Sequence, residues 1–389
     1  MGIVLELGAT PAPAPAPLLP PSEANAILNS GWWNLSQLDS HNICSWYGIS
    51  CNVAGCKIGC RCPFYTPGIR LATLNLSVFK NFEWLELSGC GLQGTIPPDI
   101  GNLPKLTSLD LSNNSLDGEI PPALVNLTQL ESLNISHNKF QGLIPRELSF
   151  LTNLTVLNLS YNSLDGEIPS ALANLIQLKS LILSNNKFQG PIPGELLFLR
   201  YLTVLDLSYN SLDGEIPSVL ANLIQLKSLI LSNNKFQGPI PGELLFLRYL
   251  TVLDLSYNSL DGEIPPALGN LTQIESLILS CNKFEGPIPL DLLFLRNLTF
   301  LDLSYNSLDG EIPLELGYLP VLSTLDLRYN NLTGTIPLSM KNFHSVNLSF
   351  NNLKGPIPYG LSEIQLIGNK DVPMGAFKGH NYQAARLLP

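Results

Sequence analysis

The chain has 389 residues, of which 45% are hydrophobic and only 13% are charged, and its formal net charge is −10. An acidic chain with few basic residues lacks the basic face that general nucleic-acid binding needs, so we expect no nucleic-acid partner. It contains no window of 18 apolar residues, so we expect no membrane-spanning segment in it.

The first segment, residues 1–21, is rich in proline and alanine. It has no Lys or Arg, and its apolar run is short, whereas a secretory signal has a basic start and a longer apolar centre. Either the leader is absent from this sequence or it is atypical. The Pro/Ala alternation over residues 11–17 indicates an extended spacer.

Residues 22–62 differ in composition from everything after them, and we interpret them as an N-terminal capping segment. Ser22 is predicted to cap a short helix over residues 23–28. Large aromatic side chains could cover the apolar end of the repeats that follow. These are Trp32, Trp33, Trp46 and Tyr47.

Residues 63–358 are interpreted as one repeat array, in which a single pattern recurs every 24 residues from Phe82 onward and the end copies are shortened. Residues 154–177, LTVLNLSYNSLDGEIPSALANLIQ, are one copy. Seven buried apolar side chains contribute roughly 10–20 kcal/mol, whereas ordering 24 residues costs about 36 kcal/mol, so a copy folds only when it stacks on others. The eleven regular copies start at Phe82, Leu106, Leu130, Leu154, Leu178, Leu202, Leu226, Leu250, Ile274, Leu298 and Leu322, and a shortened copy starts at Phe343.

The spacing L-x-x-L-x-L-x-x-N/C-x-L at this period is the leucine-rich-repeat signature. It predicts an α/β repeat solenoid, a right-handed superhelix with a concave parallel β-sheet and with loops or short helical turns on the convex side. The asparagine of each copy is expected to satisfy backbone groups through its amide, which donates and accepts. These residues are Asn138, Asn162, Asn186, Asn210, Asn234, Asn258, Asn282, Asn306 and Asn330.

The run CSWYGISC (Cys44 to Cys51), with SEANAIL upstream and N-x-L-x-G-x-I-P repeats downstream, resembles the extracellular half of plant leucine-rich-repeat receptor-like kinases and receptor-like proteins. The resemblance covers residues 22–358. It implies that Cys44 and Cys51 form a disulfide, and that the chain is a non-enzymatic module recognising a peptide or protein ligand and a co-receptor ectodomain. It also implies an extracellular location, or one at the outer face of the plasma membrane.

Two parts depart from that family's pattern. Three further cysteines follow the cap at Cys56, Cys60 and Cys62, and residues 359–389 form an irregular tail with no closing cysteine pair, membrane helix or kinase motif. Two alternatives therefore stay open. One is a secreted inhibitor of a cell-wall-degrading enzyme, similar to polygalacturonase-inhibiting proteins, and the other is a truncated receptor fragment.

No catalytic, cofactor or metal site is predicted. The C-x3-C-x-C spacing after the cap is a weak zinc signal, and the four histidines are scattered. Cys90 is interpreted as a buried structural thiol, and Cys281 is expected to be exposed. Recurring Asp-Gly-Glu pairs, as at Asp165 and Glu167, are interpreted as a solvated flank, with an acidic stripe for a basic partner as the alternative.

The open side of the predicted sheet is the candidate binding surface. Alternate copies place Val or Phe, then Asp, then Tyr on it, and aromatic rows offer large contact area with a polar tip. Alternatively, duplication merely copied one tolerable residue, since residues 162–209 and 210–257 differ only at Ala171 and Val219. The candidate residues are Tyr161, Val204, Asp206, Tyr209, Val252, Asp254, Tyr257, Phe300, Asp302, Tyr305 and Tyr329.

Glycosylation sequons are dense outside the central copies and absent from residues 162–258. A sequon-free stretch that coincides with the Tyr and Asp positions would leave a protein-binding surface bare. The candidate sites are Asn34, Asn75, Asn113, Asn126, Asn134, Asn153, Asn158, Asn270, Asn297, Asn331 and Asn347.

Overall fold

The computed structural model describes residues 21–30, 49–52, 55–59, 68–359, 361 and 364–369. The predicted spacer before Pro21, the four aromatic residues of the cap, Cys44 and Asn34 lie outside these residues. The chain forms two compact units, Met1–Gln141 and Gly142–Pro389. Each unit is described separately below.

Unit 1 begins with an α-helix, α1 (Pro21–Asn29). Ser22 lies inside this helix, so its prediction as the N-cap is wrong. The first turn of a helix tolerates a proline such as Pro21, because the fixed φ of proline suits a helix and its missing N–H would have no partner there. Ala26 and Ile27 are buried.

The first copy of the repeat in unit 1 is cut short. Its LATLNLS sequence forms two 3-10 turns, Leu71–Thr73 and Leu76–Val78, and the next strand begins at Trp84. Phe79 and Phe82 fill the space beside these turns as a fully buried pair, with ring centroids 4.2 Å apart.

The strands that begin in unit 1 are β1 (Ile49–Asn52), β2 (Gly55–Gly59), β3 (Trp84–Glu86), β4 (Gln93–Gly94), β5 (Ser108–Asp110), β6 (Ser115–Gly118), β7 (Ser132–Asn134) and β8 (Lys139–Gly142). Of these, β2, β3, β5 and β7 lie side by side and parallel, and β1 pairs with β2 in the antiparallel direction. The remaining 3-10 turns are Pro98–Asn102 and Pro122–Asn126.

Unit 2 contains a parallel sheet of ten described strands, one for each turn of the chain, which we call the main sheet. Successive strands pair in an unshifted register, as in Leu181↔Leu205 and Leu205↔Leu229. These strands are β9 (Val156–Asn158), β11 (Ser180–Ile182), β13 (Val204–Asp206), β15 (Ser228–Ile230), β17 (Val252–Asp254), β19 (Ser276–Ile278), β21 (Phe300–Asp302), β23 (Thr324–Asp326), β24 (Ser345–Asn347) and β25 (Ile364–Gln365).

Most strands of the main sheet are followed by a second strand of two or three residues, and a 3-10 turn that begins after a proline comes next. Gly214 precedes one such turn with φ of +78°, a conformation that favours glycine. The short strands are β10 (Ser163–Leu164), β12 (Gln189–Gly190), β14 (Ser211–Leu212), β16 (Gln237–Gly238), β18 (Ser259–Leu260), β20 (Glu285–Pro287) and β22 (Ser307–Asp309). The 3-10 turns are Arg146–Phe150, Ser170–Asn174, Gly194–Phe198, Ser218–Asn222, Gly242–Phe246, Pro266–Asn270, Leu290–Phe294, Leu314–Tyr318 and Leu338–Asn342.

The core consists of columns of identical or alternating side chains. The middle residue of each three-residue strand of the main sheet is buried, for example Leu205 in β13 and Leu253 in β17. Behind the short strands, Phe188 and Phe236 alternate with Leu164 and Leu212, and all four are fully buried. Alternation of a large and a small side chain keeps a repeating core filled, so the recurrence of the sequence every 48 residues, as between residues 162–209 and 210–257, has a packing role.

The predicted asparagine ladder is present. The Asn210 side-chain amide donates to the carbonyl oxygens of Leu183, Leu207 and Ser208, each at 3.1 Å. Its Oδ1 accepts from the Phe188 backbone N–H at 3.0 Å. One side chain therefore satisfies backbone groups of two adjacent turns, which holds them in register.

Strand pairing extends beyond residue 358, where the sequence places the end of the solenoid. β25 pairs with β24, and Asn369 takes the ladder position by donating to Leu348 O at 2.9 Å. Among the described residues, none of the helices combines the length and apolar character needed to cross a bilayer.

Candidate functional site

The exposed side of the main sheet in unit 2 is formed by the first and third residue of each strand together with the residue three positions after the strand, and we call this surface the strand face. Val204 and Asp206 of β13 are half-buried, and Leu205 between them is fully buried. The same alternation holds for Val252 and Asp254. Phe300 and Asp302 repeat it two turns further on.

The tyrosines predicted for this surface stand beyond the strand ends. Tyr209 lies three residues after Asp206, with φ of +52°, and its backbone N–H donates to Ser232 O at 2.9 Å. Its side chain is 55% exposed, and that of Tyr257 is 57% exposed. The sequence did not reveal the left-handed backbone, because residues as different as Asn, Cys and Tyr occupy this position in successive turns.

At the C-terminal end of the tyrosine row, three rings stack directly on one another. Tyr305 and Tyr329 have centroids 4.4 Å apart, and Tyr329 and Phe350 have centroids 4.1 Å apart. Tyr161 stands at the other end of the row, 49% exposed. Phe350 was missed by the sequence analysis because the turn before it is shortened to 21 residues, which hides its alignment with the tyrosines.

The aspartates at the third position of the strands form hydrogen bonds within the chain and are also partly exposed. Asp206 Oδ1 accepts from Ser208 N at 3.0 Å and from Ser208 Oγ at 2.6 Å. Asp254 makes the same pair of bonds with Ser256. One carboxylate oxygen therefore closes the bend after the strand, and the other is available for a ligand.

Arg328 is the one described residue that replaces serine in this bend with a cation. Its Nε lies 3.2 Å from Asp326 Oδ2, without the alignment of a hydrogen bond, and its guanidinium carbon lies 5.4 Å from the Tyr305 ring centroid. Burial raises the pKa of the Asp326 carboxyl, and the Arg328 contacts only partly oppose that shift. Burial also raises the pKa of Tyr305.

Cys281 occupies the tyrosine position of its turn and is half-buried, so the prediction of an exposed thiol is wrong. Its interaction with the Tyr257 hydroxyl is the main cause of the raised pKa of Tyr257. Burial raises the pKa of the Cys281 thiol.

The cysteines near the N-terminus are placed only in part. Cys90 is buried as predicted, but it is disulfide-bonded and is not a thiol. The predicted pairing of Cys44 with Cys51 lies outside the described residues. The register of β1 and β2 sets Cys56 directly opposite Cys51.

The sequons fall into two structural groups. Asn134, Asn158 and Asn347 are the third residues of strands and are half-buried, and each Oδ1 accepts from the serine two residues later. The others within the described residues are exposed. They are Asn75, Asn113, Asn126, Asn153, Asn270, Asn297 and Asn331.

No group of three or more His, Cys, Asp or Glu side chains that could hold a metal ion occurs in the part of the chain that the structure describes. The strand face is thus an exposed surface of aromatic, aliphatic and acidic side chains. It can bind by contact area and hydrogen bonding.

Comparison with known proteins gives the same architecture. Two family profiles match the chain and together cover more than half of it. The one described as Leucine rich repeat matches residues 80–140 and 129–188, and the one described as Leucine Rich Repeat matches residues 201–223, 225–247, 249–271, 297–319 and 321–343. No curated protein sequence matches the chain.

Three solved structures are similar. The PEPR1–AtPEP1 complex has a TM-score of 0.76 at 31% identity, over 89% of this chain and 51% of that one. The plant peptide hormone receptor RGFR1 with RGF2 has a TM-score of 0.67 at 33% identity, over 76% and 53%. The Arabidopsis receptor kinase HAESA with the peptide hormone IDA and the co-receptor SERK1 has a TM-score of 0.55 at 30% identity, over 79% and 68%. The chain spans about half the length of the first two.

Proposed function

Because the chain belongs to the leucine-rich-repeat family, we propose that the strand face of unit 2 is a non-enzymatic recognition surface for a peptide or protein ligand. The observation that carries this is the exposed aromatic row from Tyr209 through Tyr257 to the Tyr305 stack. A row of this kind removes large apolar area from water on contact while its hydroxyls stay hydrogen-bonded. The leucines between are buried in the core and are not available to a ligand.

The likeness to peptide complexes supports a peptide as the ligand. PEPR1, RGFR1 and HAESA were each solved with a peptide, and HAESA also with the co-receptor SERK1. We extend this by analogy to a peptide ligand and a co-receptor ectodomain for this chain, at the cell exterior. None of the three structures is an inhibitor of a cell-wall-degrading enzyme, so the inhibitor alternative has no support here.

The test is a binding titration with the peptides AtPEP1, RGF2 and IDA and with the SERK1 ectodomain as probes. For any probe that binds, a Tyr209/Tyr257/Tyr305 triple alanine variant is expected to bind at least about tenfold more weakly, because truncating an anchor residue costs about 2 kcal/mol or more. The melting temperature should barely change, since these side chains are exposed.

A control shows that the assay separates binding from folding. Leu205→Ala removes a fully buried side chain and should cost about 2–5 kcal/mol of unfolding free energy. Undiminished probe binding by the triple variant would contradict the assignment of the strand face and leave the tyrosines as a record of duplication.

A further inference from the structure

A second exposed surface lies on the segments that lead from the 3-10 turns into the main-sheet strands. In four successive turns these segments are NLIQLK (174–179), FLRYLT (198–203), NLIQLK (222–227) and FLRYLT (246–251), and we call their exposed side chains the basic-aromatic strip. The strip exposes six large apolar residues. They are Ile176 (51%), Phe198 (51%), Tyr201 (56%), Ile224 (57%), Phe246 (66%) and Tyr249 (56%).

The charge of the strip is opposite to that of the chain. Each segment carries one exposed cation, at Lys179, Arg200, Lys227 and Arg248, and the four segments contain no Asp or Glu. The chain as a whole carries −10. Apolar side chains interleaved with arginine are typical of the energetically dominant part of a protein interface.

The strip ends, toward the C-terminus, where its apolar residues give way to sequons. Two turns after Ile224, the equivalent position is Thr272, which completes the exposed sequon Asn270-Leu-Thr. At the position of Tyr249, the next FLR segment has Asn297, an exposed sequon asparagine. The residues that remove the sequons are therefore the residues that expose apolar area, as expected for a surface kept bare for protein contact.

The complementary surface lies on the same chain, after the strands. Exposed carboxylate pairs recur there at Asp165 and Glu167, Asp213 and Glu215, and Asp261 and Glu263. One exposed lysine in each intervening turn, Lys187 or Lys235, offsets one of the two negative charges of a pair. The pairs recur every 48 residues, as Arg200 and Arg248 do, so both sets are spaced by two strand separations, roughly 10 Å.

We propose that the basic-aromatic strip docks against these carboxylate pairs on a second copy of this chain, with the two stacks side by side and their strands pointing the same way. Arg200 and Arg248 of one copy then meet Asp213/Glu215 and Asp261/Glu263 of the other in register, and Phe198, Tyr201 and their equivalents fill the space between. The contact joins two different surfaces, so each copy keeps one of each free and association continues beyond the dimer.

Sedimentation velocity of the full chain over a concentration series tests this. The average sedimentation coefficient is expected to rise with concentration past the value of a dimer. A single monomeric species up to roughly 100 µM, the range of a weak contact, would overturn the proposal, and so would a dimer that does not grow further.

Charge reversal identifies the two surfaces. Arg200→Glu/Arg248→Glu and Asp213→Lys/Asp261→Lys are each expected to be monomeric alone, because each lacks one surface. Mixed together they should associate again, because the unchanged strip of the second variant meets the unchanged carboxylate pairs of the first, and the two reversed surfaces also carry opposite charges. Arg296→Glu, in the sequon-bearing segment outside the strip, is the matched control and should associate like the unchanged chain. Failure of the mixture to dimerise would refute this pairing of surfaces.

A glycan placed on the strip gives an independent test in a secretory host. Ile224→Thr creates an N-L-T sequon at residues 222–224, and Tyr201→Asn creates one at residues 201–203. The chain already holds both introduced residue types at the equivalent positions Thr272 and Asn297. The glycosylated variants should be monomeric. Ile224→Thr combined with Asn222→Gln carries no glycan on the strip and should associate more strongly than the variant that carries one. Association of the glycosylated variants equal to that of the unchanged chain would contradict the proposal.

Discussion

The asparagine after each strand joins two turns of the chain through its side chain alone. Asn210 has three donor contacts to carbonyl oxygens and one acceptor contact to an N–H, all at 3.0–3.1 Å. Water cannot replace all of these partners in a part-buried site, so the loss of this amide leaves several backbone groups unpaired.

Asn210→Ala is therefore expected to lower the free energy of unfolding by about 2–4 kcal/mol. Urea unfolding followed by circular dichroism measures it. Gln225→Ala, at an exposed position, is the control and should change stability little. Equal effects of the two changes would show that the ladder is not a main source of stability.

Asp326 makes a pH-dependent contribution to the free energy of unfolding. Its carboxyl pKa is raised by burial, so the folded state holds the proton more tightly than the unfolded state does. The protonated Asp326 carboxyl therefore contributes its full stabilisation at pH values below the pKa that it has in the unfolded state. This stabilisation is lost as the pH rises through the pKa that it has in the folded state. Asp326→Asn should remove this loss and raise stability at neutral pH relative to the unchanged chain.

Unfolding measured from about pH 3.5 to 7 checks this sign. Asn347 occupies the same strand position as Asp326 and accepts from Ser349 N, so an amide fits there. Asp206→Asn controls for the change of carboxylate to amide at this position. A fall in stability of Asp326→Asn at neutral pH would show that the Arg328 ion pair outweighs the burial.

The individual residues also show where prediction from sequence stops. The buried leucines and the asparagine ladder follow from periodicity alone, because the same contact recurs in every turn. The bond from Ser208 to Asp206 and the left-handed backbone of Tyr209 do not, because several residue types satisfy the same bend. The Arg328 contacts depend on one substitution in one turn, and no period indicates them.

At the level of elements, the strand length and the 3-10 turns follow from the pattern of leucines and prolines, but the ends of the stack do not. The last strand, β25, lies in residues that the sequence places in an irregular tail. It accepts from Leu348 N through Gln365 O at 2.9 Å, and Ile367 O accepts from Phe350 N at 2.7 Å. The turn is too short and too different in sequence to be recognised by its period.

Truncation after residue 358 is expected to expose the edge of β24 and to release Phe350 from its ordered place beside Tyr329. Amide exchange at Leu348 and Phe350 should accelerate at least about tenfold, because local opening then costs less. Truncation after residue 369 keeps β25 and should leave these two amides protected. Similar exchange in both truncations would mean that β25 contributes little to the end of the stack.

On the scale of the whole molecule, the sequons divide the surface into regions that glycans would cover and regions that they would leave bare. The seven exposed sequon asparagines offer accessible side chains, whereas those at Asn134, Asn158 and Asn347 are half-buried against their own serines. After expression in a plant secretory pathway, we expect modification at the exposed sites, lower occupancy at these three, and none over residues 162–258.

Peptide mapping before and after enzymatic deglycosylation measures the occupancy of each site. Asn270→Gln and Asn297→Gln should each remove one glycan without changing the others. A single unmodified mass for the secreted chain would contradict the prediction and weaken the proposal of an extracellular role.

The unshifted register of the main sheet has a consequence for how this molecule can change. Residues 162–209 and 210–257 differ at a single position, so deleting or duplicating 48 residues joins surfaces that already fit each other. Unequal crossing-over between the two copies would therefore yield a foldable product with no seam. Each such event adds or removes one exposed tyrosine of the strand face and one Phe-Leu-Arg-Tyr segment of the basic-aromatic strip. The number of contact residues on the two surfaces can therefore change by whole units while the architecture stays the same.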